Sequence, residues 1–207
     1  MTRLAGVKAD KPSSHKKLEA VASKVREMLH VGPTKAIDPL KLFEDLDKII
    51  IKHGGMRIPL NYRVSNLEDS EGYTRYDKEQ KCIEVIASVY TYDRLESRHP
   101  RAGFFVGHEL GHCLLHTGQL VRLAQMPTNQ LAAMHRGATV HQVYEDTEWQ
   151  ANGFAGALFM PAKGLAQLQQ TYGLLTIDMI QETFKVSYEA AGIRRDVFSQ
   201  RREILLV

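Results

Sequence analysis

The stretch that most constrains this chain is FFVGHELGHCLLH, Phe104 to His116. Apolar residues surround two histidines four apart, with a glutamate directly after the first. Length and pattern predict a helix that Pro100 opens and that runs to about His116. On a helix, positions i and i+4 share a face, with Cβ atoms about 5–6 Å apart. His108 and His112 can therefore converge on one ion from the same side, and imidazole nitrogen suits Zn²⁺. Glu109 projects beside that point, where it could take a proton from water on the metal, the general-base role in H-E-x-x-H hydrolases. The competing reading is a buried helix with hydrogen-bonded histidines. With 9 histidines among 207 residues, the pattern arises by chance in roughly 3% of such chains, so context must decide.

A catalytic zinc takes three protein ligands and keeps a position open for water. The helix predicted over EWQANGFAGALFMP places Glu148 at its start and Asn152 one turn on, on the same face. Phe154, Ala155, Leu158 and Phe159 give it an apolar side for packing against the first helix. A carboxylate ligand at Glu148 fits, and Asn152 could orient a ligand histidine. A glutamate in a first helical turn is also favoured by the helix dipole alone. His116, four residues after His112, and Asp146 compete as third ligand. Tyr90, Tyr92 and Tyr144 are candidate oxyanion donors. His135 and His141 are expected in solvent, and Cys113 and Trp149 in the core.

The rest of the chain reads as α+β: a small antiparallel sheet with packed helices. Residues 1–14 read as a flexible tail. KKLEAVASKVREMLH carries Leu18, Val21, Ala22, Val25, Met28 and Leu29 on one helical stripe. Asp38 and Pro39 can start a short helix. KIIIKH reads as a strand, residues 56–71 as loop, and GYTRYDKEQKCIEVIA as a hairpin turning at Asp77–Gln80. YTYDRLESRH reads as loop, and 117–143 as an irregular, partly helical insertion. Three shorter helices follow Pro161, the last one capped by Ser187. The expected division is a peptidase-like unit over 15–160 and a helical region over 161–207. The arginines near 94–101 and 194–202 read as solvated faces.

A composition of 43% hydrophobic and 25% charged residues is ordinary for a globular chain. A net charge of +3 is too small to argue for direct nucleic-acid binding. Two distant cysteines, Cys82 and Cys113, suit a reducing compartment. No apolar N-terminal segment or membrane-length run is visible, so a cytoplasmic protein without membrane attachment is expected.

Together these segments resemble the ImmA/IrrE metallopeptidases. AIDPLKLFEDLDKIIIK is similar to the family's opening, RAGFFVGHELGHCLLH to its zinc helix, and EWQANGFAGALFMP to its E-x-[EQ]-A-[ND]-x-F-A-x-x-L-[LM]-x-P stretch. FKVSYEAAGIRR is similar to its close. The resemblance implies a thermolysin-like zincin, with His108, His112 and Glu148 as zinc ligands and Glu109 as catalytic base. It also implies a helix-turn-helix repressor as substrate, whose cleavage releases phage, mobile-element or stress genes. The segment between His116 and Glu148 is longer than expected of compact members. The rival reading is a zinc scaffold that grips a repressor or antitoxin without cutting it; a third is a hydrolase of small amides. For an endopeptidase, a strand at Cys82–Ala87 could bind substrate backbone by strand addition.

Overall fold

Local signals start most of the elements. In the computed structural model, which describes residues 7–68, 70–126 and 141–206, the Ser14 hydroxyl caps α1 (His15–Met28). Asp38 caps α2 (Pro39–Glu44), with Pro39 in its first turn. A 3-10 turn leads to β1 (Ile50–His53), which pairs antiparallel with β2 (Met56–Ser65) around Gly54 and Gly55, both at positive φ. β3 (Gly72–Asp77) and β4 (Cys82–Ser88) form the expected hairpin.

The sheet order is β1-β2-β4-β3, and β2 runs parallel to β4. The sheet is thus mixed, where a purely antiparallel one was expected, because residues 56–65 are a strand and not loop. Ile58 and Leu60 alternate into the core. Pro59 has no N–H for a ladder, which suits an edge and not the centre of a sheet. In the fold it faces only β1, and pairing with β4 begins one residue later, at Leu60 opposite Ile83. Every residue of β4 is buried.

α3 (Val89–Glu96) replaces the second expected loop; the Ser88 hydroxyl accepts from the Thr91 amide and starts it. There follow α4 (Pro100–Leu115), α5 (Thr117–Gln125), α6 (Thr147–Phe159), α7 (Ala162–Tyr172), α8 (Ile177–Phe184) and α9 (Tyr188–Leu205). The chain is α+β, and α4 and α6 are its central pair. The core runs without a break from Leu18 and Phe43 through Phe154 to Leu165, Ile180 and Phe198, so the helices after 160 share it with those before. The insertion expected at 117–143 begins as regular helix α5; its residues 127–140, His135 among them, lie outside the described residues.

Three charged side chains fix the far end of α6. Arg26 donates to the Leu158, Gly32 and Lys35 carbonyls at 2.5–2.6 Å. Glu19 accepts from the Ala162 amide at 2.6 Å and from Arg194. Arg194 also donates to the Met160 carbonyl at 2.8 Å. Arg194 was expected in a solvated run but is only 5% exposed, because these acceptors compensate its desolvation. Met28, expected in the core stripe, is instead exposed at the end of α1.

Residues 7–13, expected as loose tail, are tied down. The Ala9 amide donates to the Glu145 carbonyl, the Ser13 amide to that of Tyr144, and the Thr147 amide to that of Val7. Asp10 holds Arg122 of α5 through two hydrogen bonds. These bonds satisfy backbone groups that a sequence pattern does not reveal.

Candidate metal centre

The helix that carries the two histidines includes its own spacing device. Gly107 and Gly111 lie one turn apart on α4, toward α6. A Cβ on Gly107 would lie 2.5 Å from the Phe159 ring, and one on Gly111 3.1 Å from both Ala151 Cα and Phe154 Cδ1. The glycines therefore allow the two helices to approach closely. Gly72 does the same for the sheet: a Cβ there would strike the Phe105 ring and the Ile86 carbonyl, so β3 starts hard against α4. Gly111→Val is expected to destabilise the fold by about 1–3 kcal/mol through overpacking. Urea denaturation checks this, and an unchanged midpoint would show that the close approach does not matter.

Close packing of α4 on α6 brings the first turn of α6 to the histidines. His108 and His112 place their Nε2 atoms 3.0 Å apart. Glu148 Oε2 lies 3.1 Å from His108 Nε2, and Oε1 lies 3.3 Å from His112 Nε2. Two ligands about 2.0–2.1 Å from a tetrahedral zinc ion stand about 3.3–3.4 Å apart. The donor set therefore fits such an ion in chemistry and in spacing. It is the group of three potential metal ligands found among the described residues.

Each imidazole is held from behind. His108 Nδ1 lies 2.9 Å from Asn152 Oδ1; the amide oxygen accepts, so Nδ1 carries a proton and Nε2 is turned toward the centre. His112 Nδ1 lies 3.1 Å from His116 Nδ1. Burial opposes charge on His108, yet its Glu148 hydrogen bond, the nearby Glu109 and Asn152 prevail and raise its pKa above the usual 6.5. Hydrogen bonds from His108 and His112 hold the Glu148 carboxyl far below its ordinary range. Burial, and then the neighbouring His112, push His116 down to about 4.

Glu109 is 7% exposed and lines the same pocket as His108, Glu148 and Asn152. Its Oε2 accepts from the Thr74 hydroxyl of β3 at 2.7 Å. Thr74 was missed by the sequence reading: it lies 35 residues from Glu109 in a strand, with no local signal to single it out.

The competing candidates have other duties. His116 faces away from the cluster toward Gln150. Asp146 caps α6 by accepting from the Trp149 amide at 2.8 Å and faces His141 at 3.1 Å. His141, expected in solvent, has a side chain only 2% exposed in that pairing. Tyr92 donates to Glu44, Tyr90 accepts from Arg94, and Tyr144 lines a separate cavity with Ser13 and His15. None of these three lines the metal pocket, whose cationic side chain is Arg101. Cys113 is buried as expected, and burial raises its thiol pKa. Trp149, expected in the core, is half-buried, edge-on to His15. β4, the strand expected to receive substrate, has strands on both sides; the sheet edge beside Glu109 is β3.

A family model described as Peptidase_M78, IrrE N-terminal-like domain, matches residues 92–195, half of the chain. No curated protein gives a significant match. Among solved structures, a Mycobacterium tuberculosis transcriptional regulator is similar at 17% identity with a TM-score of 0.46. The alignment covers 87% of this chain and 55% of the regulator, so this chain spans about half of that protein's length. Among the described residues, no helix is long and apolar enough to cross a membrane.

Proposed function

We propose, from the premise that this chain belongs to the M78 peptidase family with its IrrE N-terminal-like domain, that it is a zinc-dependent endopeptidase of the cytoplasm. The observation that carries this reading is the convergence of His108, His112 and Glu148 with Glu109 beside them. His108, His112 and Glu148 would hold the ion. When bound, zinc supplies Lewis acidity toward a carbonyl and lowers the pKa of its water to about 7.

The chain's own residues do the rest. Asn152 fixes the ring and proton of His108. Thr74 occupies Glu109 Oε2, which leaves Oε1 to take the proton of the attacking water and pass it to the leaving amine. A substrate strand adds along the edge of β3, which puts its backbone in line with Glu109. A cleft of about 620 Å³ shares Arg101, Phe104 and Asn152 with the metal pocket. Phe104, Trp149, Ile193 and Val197 line it, so a bulky apolar substrate side chain suits it. The unit over 15–160 carries this machinery, and 161–207 supplies α7 to α9, of which α9 forms one wall of the cleft.

The substrate best matching the family resemblance is a helix-turn-helix repressor encoded nearby, whose cleavage would release phage, mobile-element or stress genes. The full chain, incubated with that repressor with and without zinc, is expected to yield two fragments only with the metal. Their masses should place the cut beside a bulky apolar residue. An intact repressor under zinc-replete conditions would refute the substrate assignment.

A further inference from the structure

Behind His112 lies a buried polar chain that reaches the N-terminal segment, 139 residues away from Gln150 in sequence. Gln150 is 1% exposed. Its amide nitrogen donates to the Lys11 carbonyl at 3.0 Å and to the Tyr144 carbonyl at 2.9 Å. Carbonyls only accept, so the NH₂ group must face them and the orientation of the amide is settled. Oε1 then faces His116 Nε2, at 3.1 Å. An amide oxygen only accepts, so His116 Nε2 carries the proton. The neutral ring then presents a bare Nδ1 to His112 Nδ1, 3.1 Å away. His112 must donate there through Nδ1, which turns its Nε2 toward Glu148 and His108, where a bound metal would take its lone pair.

We propose that His116 and Gln150 are positioning residues that set the tautomer and ring plane of His112, and that the segment carrying Lys11 is part of this support. The proposal rests on the reading of His112 as a metal ligand. Each link admits one proton arrangement, and the first link is backbone. The two ligand histidines are thus supported differently. His108 depends on one side chain of its partner helix, whereas His112 depends on a chain that begins where residues 7–13 are sewn to 143–147.

The test uses the full chain with ¹⁵N-labelled histidine, first without metal. Long-range ¹H–¹⁵N correlation is expected to show a proton on His112 Nδ1, and His116 with its proton on Nε2 and a bare Nδ1. Gln150→Met and His116→Leu remove one link each. They should leave His112 without a fixed tautomer and weaken zinc about 10–100-fold in competition with a chromogenic chelator, the usual cost of losing support behind a ligand. His116→Asn should stay near wild type, because its Oδ1 can accept the same N–H. A wild-type His112 with no proton on Nδ1, or equal zinc affinity in the Leu and Asn variants, would overturn the proposal. Should the Leu variant fail to fold, the wild-type tautomer and the Gln150→Met variant still decide. Zinc binding without cleavage would count against the proposed function and leave this relay standing; a wild type that takes up no zinc would remove the ligand reading, while the metal-free tautomers would still report on the relay.

Discussion

Glu109→Gln is expected to keep the metal and the fold while lowering cleavage by about 10²–10⁴-fold, the range a positioned general base contributes. The amide has nearly the shape of the carboxylate. Its oxygen can still accept from Thr74, which bonds Oε2 at 2.7 Å in the wild type, so packing against β3 survives. What disappears is an oxygen able to take a proton at neutral pH: Oε1 becomes an NH₂ group, which is only a donor. Zinc content, thermal unfolding and turnover on the repressor are to be measured together. Full zinc with lost turnover supports catalysis by this glutamate. A Gln variant that still releases the target genes in cells would favour the rival reading, a scaffold that grips its partner without cutting it.

Glu148→Ala is expected to weaken zinc by more than about 100-fold, beyond the 10–100-fold typical of a residue that only supports a ligand. Its two carboxylate oxygens lie 3.1 and 3.3 Å from the two Nε2 atoms, and no other carboxylate joins that cluster among the described residues. Asp146→Ala is the control from the same turn of chain. It removes the cap on the Trp149 amide and should cost about 0.5–2 kcal/mol of stability with little loss of zinc. Metal analysis after dialysis, beside a denaturation curve for each variant, separates the two effects. Zinc retained by Glu148→Ala and lost from Asp146→Ala would exchange their roles and undo the assignment of Glu148.

The sequence by itself determined the short-range features. The four-residue repeat of a helix put His108 and His112 on one face, and Pro100, Asp38-Pro39 and Ser187 marked helix starts that the fold keeps. The hairpin at Gly72–Ser88 was legible from its alternation and its polar turn. Features made by partners far along the chain were not legible. β2 hid because Pro59 is tolerable only where β1 is its sole neighbour, and that depends on sheet order. The Ser88 cap of α3 was not legible, because the polar stretch YTYDRLESRH after it reads as loop. Asn152 could be named in advance because it shares a helical face with Glu148. Thr74 and Gln150 could not, because a hydroxyl 35 residues from its carboxylate, or an amide clasping Lys11, has no periodicity. Tertiary structure, through two glycines, brought Glu148 and not Asp146 to the histidine pair. Gly107 and Gly111 let α6 approach α4 closely enough for Glu148 to reach both histidines. His116 was turned instead toward Gln150, since a buried imidazole must find partners for both nitrogens.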